Sequence, residues 1–92
     1  MQLLLSVELG DTTPRQRTIL RREMLGQGWH MVSTPFMFTI RLKNLESDEQ
    51  AIERVTDQLN RALEVAEIED WGADCFIQTR SRQSTNNRLT PS

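Results

Sequence analysis

The periodicity of the apolar residues constrains the fold more than any other feature of this sequence. A period of two, which is typical of strands with one buried face, runs through Leu3–Leu9 and returns in Phe36–Leu42 and Ala73–Gln78. Trp29–Val32 is a further short apolar stretch, set off from the next strand by Ser33-Thr34-Pro35, because proline cannot donate to a strand ladder. The pattern therefore predicts four strands, the second and third forming a hairpin.

Two segments between these strands carry helix start signals. Thr13-Pro14-Arg15-Gln16 combines a capping threonine, a proline suited to the first turn and a reciprocal glutamine, and Gly26 and Gly28 mark the end of this first helix. Ser47-Asp48-Glu49-Gln50 is a second capping box. The helix that follows it has the clearest amphipathic pattern in the chain, with apolar residues at helical spacing: Ile52, Val55, Leu59, Ala62, Leu63 and Ala66.

The resulting order, β-α-β-β-α-β, predicts an α+β, ferredoxin-like fold in which two helices cover one face of a four-stranded antiparallel sheet. A chain of 92 residues has room for one such domain, which we place at residues 1–79. Residues 80–92 are polar and basic with one apolar residue, Leu89, and burying so little cannot repay the entropy of ordering. We expect them to form a tail, unless a partner chain pairs with them.

Cysteine usage and hydropathy indicate the compartment. The single cysteine, Cys75, cannot form an internal disulfide, and no Cys/His spacing typical of a zinc site is present. No apolar run approaches the roughly 18 residues that cross a bilayer. The sequence thus predicts a cytoplasmic, soluble protein with no membrane partner and no structural metal.

Residues out of phase with the core indicate what lies on the sheet face that the helices leave uncovered. If Leu3 and Leu5 face the helices, then Leu4, Met37 and Phe76 meet on the opposite face, ringed by polar residues. Isolated surface apolar residues are ordinary, so these three also fit a surface with no partner. A contiguous patch would instead predict a homodimer that uses them as its interface.

Charge is separated along the chain. Residues 1–43 carry three more bases than acids, residues 44–78 carry eight more acids than bases, and residues 79–92 add three arginines. The first helix holds a basic cluster that could bind RNA phosphates: Arg15, Arg17, Arg21 and Arg22. The acidic second helix could instead meet a basic protein, although solvated charged faces are also common on helices.

Candidate catalytic residues are few. Glu8 ends the first strand and Asp11 lies in the following loop, so the two carboxylates could hold Mg²⁺ or act as a general base. More simply, Asp11 is an acid before a helix N-terminus and Glu8 is a polar residue on the open sheet face. His30, the only histidine, has no fixed partner in sequence, and Cys75 is in phase with buried positions, so a Cys/His nucleophile is disfavoured.

These segments together resemble a known group of proteins. Leu4-Leu5-Ser6-Val7-Glu8-Leu9, the Gly10-Asp11-Thr12-Thr13 loop, Arg21-Arg22-Glu23-Met24 and Gly28-Trp29 are similar in layout to small ferredoxin-like proteins of the GhoS and VapD type, which are related to the small CRISPR-adaptation nuclease. The resemblance implies a dimer and, as in several members, an endoribonuclease of a toxin and antitoxin system. In the nuclease relatives an aspartate ends the first strand, whereas Glu8 stands at that place in this chain.

Two functions are therefore predicted. One is a small dimeric RNA-binding protein or endoribonuclease of a toxin-antitoxin or phage-defence module, with Mg²⁺ as the cofactor if it cleaves RNA. The other is a protein-interaction module or inhibitor that acts through its acidic second helix and needs no cofactor.

Overall fold

A computed structural model describes residues 1–33, 36–43, 47–79 and 82–91. Its elements in chain order are β1 (Gln2–Leu9), α1 (Pro14–Gly26), β2 (His30–Ser33), β3 (Met37–Arg41), α2 (Asp48–Val65), β4 (Trp71–Thr79) and β5 (Arg82–Leu89).

The described residues form an α+β fold with two helices and one antiparallel sheet of five strands. The strands lie in the order β2-β3-β1-β4-β5, so β1 is central. Leu5 of β1 stands opposite Phe38 of β3 on one side and Cys75 of β4 on the other. Cross-strand partners point to the same side of a sheet, so these three residues share one face.

That face and the two helices enclose the core. The alternate residues Leu3, Leu5 and Val7 are at most 4% exposed, and they belong to one cluster with residues of α1 and α2. From α2 the cluster takes four side chains predicted at helical spacing, Val55, Leu59, Ala62 and Leu63, together with Ala51, and it also takes Ala66 from the C-cap of the helix. The prediction for this helix is therefore confirmed, except that Ile52 is only partly buried.

Helix α1 is fixed at both ends by the signals seen in sequence. The Thr13 hydroxyl accepts the Gln16 N–H at 3.1 Å, and the Gln16 side chain accepts the Thr13 N–H at 2.9 Å, which completes the capping box. At the other end Gly28 has φ +99°, a left-handed conformation that favours glycine. Its N–H bonds the Leu25 carbonyl and the next N–H, from Trp29, bonds Met24, so the chain turns back into the core.

Helix α2 begins and ends with comparable caps. The Ser47 hydroxyl accepts the Gln50 N–H at 3.2 Å. At the C-terminus Glu67 has φ +59°, its N–H bonds the Glu64 carbonyl, and the Ile68 N–H bonds the Leu63 carbonyl at 2.9 Å. These are the bonds of a Schellman motif, with a glutamate at the position that usually holds glycine.

Strand β3 starts one residue later than predicted. Phe36 has φ +56°, which is outside the extended region, so the ladder begins at Met37. Phe36 is nevertheless 5% exposed, and its carbonyl accepts the Val7 N–H at 3.0 Å. Thr34 and Pro35, on which the predicted break depended, lie outside the described residues.

The expectation of a four-stranded sheet is wrong, because a fifth strand lies within residues 80–92, which were expected to form a tail. Within that segment β5 pairs with β4, with Ala73 opposite Leu89 and Phe76 opposite Asn86. The expectation rested on side-chain burial alone, whereas the edge of β4 supplies a full row of backbone donors and acceptors. Leu89 adds the apolar anchor, since it is 8% exposed and part of the core cluster.

Among the described residues, neither helix combines the length and the apolar character that a membrane span requires.

Candidate interaction surface

The sheet face opposite the core carries all three apolar residues predicted for it, and two of them form a direct cross-strand pair. Leu4 on the central strand stands directly opposite Phe76 on β4. Met37 pairs with Ser6, two residues along β1, and so lies diagonal to Leu4. All three side chains are half-buried, and they form what we call the apolar centre of the open face.

Polar residues surround this centre. Thr39, opposite Leu4 on β3, donates its hydroxyl to the Leu3 carbonyl at 2.9 Å. Gln2, Arg41 and Gln78 form one exposed row at the end of the strands. On the side of the apolar centre away from that row, Asp74 on β4 pairs with Ser6 on β1. The alternation along the fourth strand would also place Arg80 on this face, but Arg80 lies outside the described residues. An apolar centre within a polar rim is the usual anatomy of a protein interface.

Glu8 is held in an ion-pair cluster at one end of the open face. Nη2 of Arg88 lies 3.1 Å from Glu8 Oε2, and Nη1 of the same side chain lies 2.9 Å from Asp74 Oδ2. The hydrogen bond from Arg88 to Glu8 is the main factor raising the pKa of Arg88. One guanidinium thus joins carboxylates on β1 and β4 from its place on β5.

Gly72 makes this arrangement possible. It stands opposite Glu8 on the neighbouring strand, and a Cβ built there would overlap Nη2 of Arg88. The guanidinium therefore crosses β4 over the one position that has no side chain. The sequence contains both residues, but their relation depends on β5, which the apolar periodicity did not predict.

The structure shows no contact between Glu8 and Asp11 that would join them in one site. The bonded partner of Glu8 is Arg88, and Asp11 is exposed in the loop before α1. Among the described residues there is no group of three or more His, Cys, Asp or Glu side chains that could hold a metal ion. With Glu8 in an ion pair, the geometry supports a structural role for it more directly than a role as a general base.

The four arginines of α1 divide between two sides of the helix. Arg17 donates to the Thr12 carbonyl at 2.7 Å, and Arg21 lies over the Phe36 ring with its Cζ 5.4 Å from the centroid. Arg15 and Arg22 are exposed and lie seven residues apart, so about 20° of rotation separates them around the helix. Only this second pair forms a solvent-facing ridge.

The outer side of α2 is acidic. Four exposed acids at successive helical spacings form what we call the acidic stripe: Glu49, Glu53, Asp57 and Glu64. Arg54 and Arg61 are also exposed and border the stripe, so the stripe keeps an excess of negative charge.

Cys75 takes the buried position that its phase in the strand predicted. His30 is exposed on β2 and stands opposite Thr39. Cys75 is fully buried, and this burial raises the pKa of its thiol from 9.0 to about 11. A thiol with that pKa is protonated near neutral pH and is a poor nucleophile.

Comparison with known proteins adds no relative. No protein-family model matches the chain, and no curated protein or solved structure matches it either.

Proposed function

We propose that this protein is a homodimeric interaction module that associates through its open sheet face and presents the acidic stripe of α2 to a basic protein. The observation that carries the proposal is the pairing of Leu4 with Phe76 at the middle of a sheet face that the helices leave uncovered. A two-fold dimer needs a patch that matches itself, and an apolar centre on the central strands meets that need.

The size of the open face supports the same proposal. Five strands spaced about 4.8 Å apart span roughly 24 Å, and at about 3.3 Å per residue their projected area is roughly 500 Å². Side-chain relief increases the accessible area above this projection. The whole face would therefore have to take part to reach the roughly 800 Å² that each partner of a typical stable complex buries.

The charge distribution supports a basic partner for α2. The acidic stripe lies on the outer side of a helix whose opposite side is buried, so it stays accessible when the sheet faces associate. Opposite charges steer association and favour partners of complementary sign. A lysine- or arginine-rich protein surface has the chemistry that this stripe would attract.

Phe76→Lys should halve the mass of the protein in solution. The lysine ammonium would be buried at the centre of the interface without a partner, which strongly disfavours association. Light scattering coupled to size exclusion measures the mass directly. Because Phe76 is half-buried and outside the core cluster, the chain should still fold, as circular dichroism would show.

Gln78→Lys is the matched control. Gln78 is on the same strand and the same face, two residues from Phe76, and it is exposed in the polar row. The Gln78→Lys substitution adds the same charge outside the apolar centre, so the mass in solution should stay that of the parent protein. An unchanged mass for Phe76→Lys would contradict the proposed interface.

A second candidate, RNA binding, is favoured by one observation, the exposed ridge of Arg15 and Arg22. In this alternative the ridge holds RNA phosphates, the protein belongs to a toxin-antitoxin or phage-defence module, and Glu8 with Asp11 supplies the carboxylates of a Mg²⁺-dependent endoribonuclease. The ion pair between Glu8 and Arg88 would then have to open for the carboxylate to reach a metal.

Titration against labelled RNA at several salt concentrations separates the two candidates. An RNA-binding protein should lose affinity steeply as salt rises, and Arg22→Ala should weaken binding and reduce that slope by about one phosphate contact. Arg17→Ala is the matched control, since Arg17 is bound to Thr12 and should change the slope less. Absence of RNA binding by the parent would leave the interaction module as the better proposal.

Three broader predictions belong with this proposal. We propose that β1 to β4 and the two helices form a ferredoxin-like unit to which β5 is added. The strand order β2-β3-β1-β4, in which β1 lies between β3 and β4, supports this proposal. The relationship to proteins of the GhoS and VapD type stays a prediction. A cytoplasmic location also stays a prediction, and it is supported by a free cysteine buried in the core.

A further inference from the structure

A groove lies at the C-terminal end of α2, between the helix, the turn that follows it and the start of β4. Its volume is about 720 Å³, within the range of roughly 300 to 1,000 Å³ that is usual for ligand sites. Buried apolar side chains form its floor, and exposed carboxylates form its rim. The floor consists of Leu63, Ile68 and Trp71, and the rim of Glu64, Glu67 and Glu69. We call this site the terminal groove.

The terminal groove concentrates negative charge. None of its lining residues is a base, and none of its three carboxylates forms an ion pair with a described residue. The negative end of the α2 dipole lies at the same place, and the last turn of the helix carries no base. Carboxylates at this end oppose helix stability, so the groove is suited to a cation that another molecule supplies.

Trp71 is an independent sign of a ligand. It is in phase with Ala73 and Cys75 of the core, so its ring lies on the helix side of β4, where the groove is. The side chain is only 9% exposed, yet its indole N–H donates to no acceptor in the described part of the chain. The corresponding N–H of Trp29 donates to Gln58. A buried donor without an acceptor is costly, so the groove suits a ligand that supplies one, such as a peptide carbonyl.

Glu67 indicates that the acidic rim is retained despite a local cost. Its φ of +59° is in the left-handed region, at the position of the motif that usually holds glycine. Glycine would end α2 with less strain, and it would add no negative charge beside the helix C-terminus. Residues that break local rules in this way are expected at functional sites.

We propose that the terminal groove binds a short basic segment of a partner protein. A backbone carbonyl of the segment accepts the Trp71 N–H, and a lysine or arginine side chain reaches the carboxylates of the rim. The aliphatic stem of such a side chain covers the apolar floor, while its charged head stays on the solvent side. Glu64 belongs both to the acidic stripe and to the rim. The inference therefore rests on the proposed function, since it names where the basic partner of the stripe is held.

A capped tetra-arginine peptide is the probe, and isothermal titration calorimetry measures its affinity. In about 0.1 M salt, charges more than about 10 Å apart are largely screened. The double substitution Glu67→Gln and Glu69→Gln should weaken binding roughly tenfold, because two exposed charge pairs are lost. Glu49→Gln with Glu53→Gln is the matched control, since it removes the same charge near the other end of α2 and should weaken binding distinctly less. A capped tetra-citrulline peptide, which is uncharged, should not bind.

Nuclear magnetic resonance of the two indole N–H groups tests the carbonyl contact separately. The Trp71 proton should move downfield when the peptide binds, because it gains an acceptor. The Trp29 proton is already bonded to Gln58 and should not move. Trp71→Phe removes one signal and so assigns both, and it should weaken peptide binding while it keeps an aromatic ring in the core.

Glu67→Gly separates a binding role of this residue from a structural one. Glycine relieves the left-handed conformation, so the thermal midpoint should rise while the affinity for the peptide falls. Full affinity in this variant would contradict the role of the rim.

The outcomes distinguish the groove from the proposed function. Equal weakening by the two pairs of glutamine substitutions, or an unmoved Trp71 signal in the peptide complex, would overturn the groove but leave the acidic stripe as a docking surface. Absence of any binding by the parent would overturn both the groove and the basic partner. Circular dichroism of each variant checks that the fold is retained.

Discussion

The Leu59→Ala protein should unfold with a free energy about 2 to 5 kcal/mol below that of the parent. Leu59 is fully buried near the middle of α2 and belongs to the hydrophobic core cluster. Alanine removes the apolar contacts of the larger side chain and leaves a cavity that the surrounding residues fill only in part. In a domain of this size such a loss is a large fraction of the total stability.

Urea unfolding followed by circular dichroism measures this change, and a shifted midpoint at an unchanged slope attributes it to stability. Val65→Ala is the matched control, because Val65 is on the same helix but 49% exposed. It should change the free energy of unfolding by no more than about 0.5 kcal/mol. If the two variants unfold alike, α2 does not bury Leu59 against the sheet.

Trp29→Ala should cost about 3 to 5 kcal/mol of stability. Trp29 follows the turn that ends α1, is 1% exposed, and is among the largest fully buried side chains. Its indole N–H donates to Gln58 Oε1 at 2.9 Å, while the side chain of Gln27 donates to the Gln58 carbonyl. The substitution therefore removes a large apolar surface and also leaves a half-buried amide oxygen without its donor.

Thermal and urea unfolding would measure this loss if the variant folds. Trp29→Phe retains most of the apolar surface, so it should fold and lose distinctly less stability than Trp29→Ala. In that variant Trp71 remains as a fluorescent reporter of the fold. A Trp29→Phe protein less stable than Trp29→Ala would contradict the burial of the indole in the core.

The candidate surface shows how far periodicity can locate function. The alternation along β1 and β4 correctly placed Leu4 and Phe76 on the face opposite the core, since neighbouring residues of a strand point to opposite sides. It did not identify Arg88, because the ion pairs with Glu8 and Asp74 exist only once β5 lies beside β4. Glu8 therefore appeared in sequence as a free carboxylate.

The arginines of α1 illustrate a different limit. Their spacing shows that Arg15 and Arg22 share one side of the helix and that Arg17 and Arg21 share another. Which of them remain accessible depends on neighbours distant in sequence, such as Phe36 beneath Arg21. The spacing divided the cluster into two pairs, and the tertiary contact with Phe36 covers Arg21.

The sequence by itself determined the order of the first six elements, the α1 capping box and the buried side of α2. These features depend on local hydrogen bonds and on the repeat of apolar residues within one element, which act over a few positions. Tertiary structure alone decided the fifth strand and the role of Glu67 at the end of α2. A polar strand such as β5 is stabilised by backbone hydrogen bonds to an existing edge, and that edge forms only after β1 and β4 have paired.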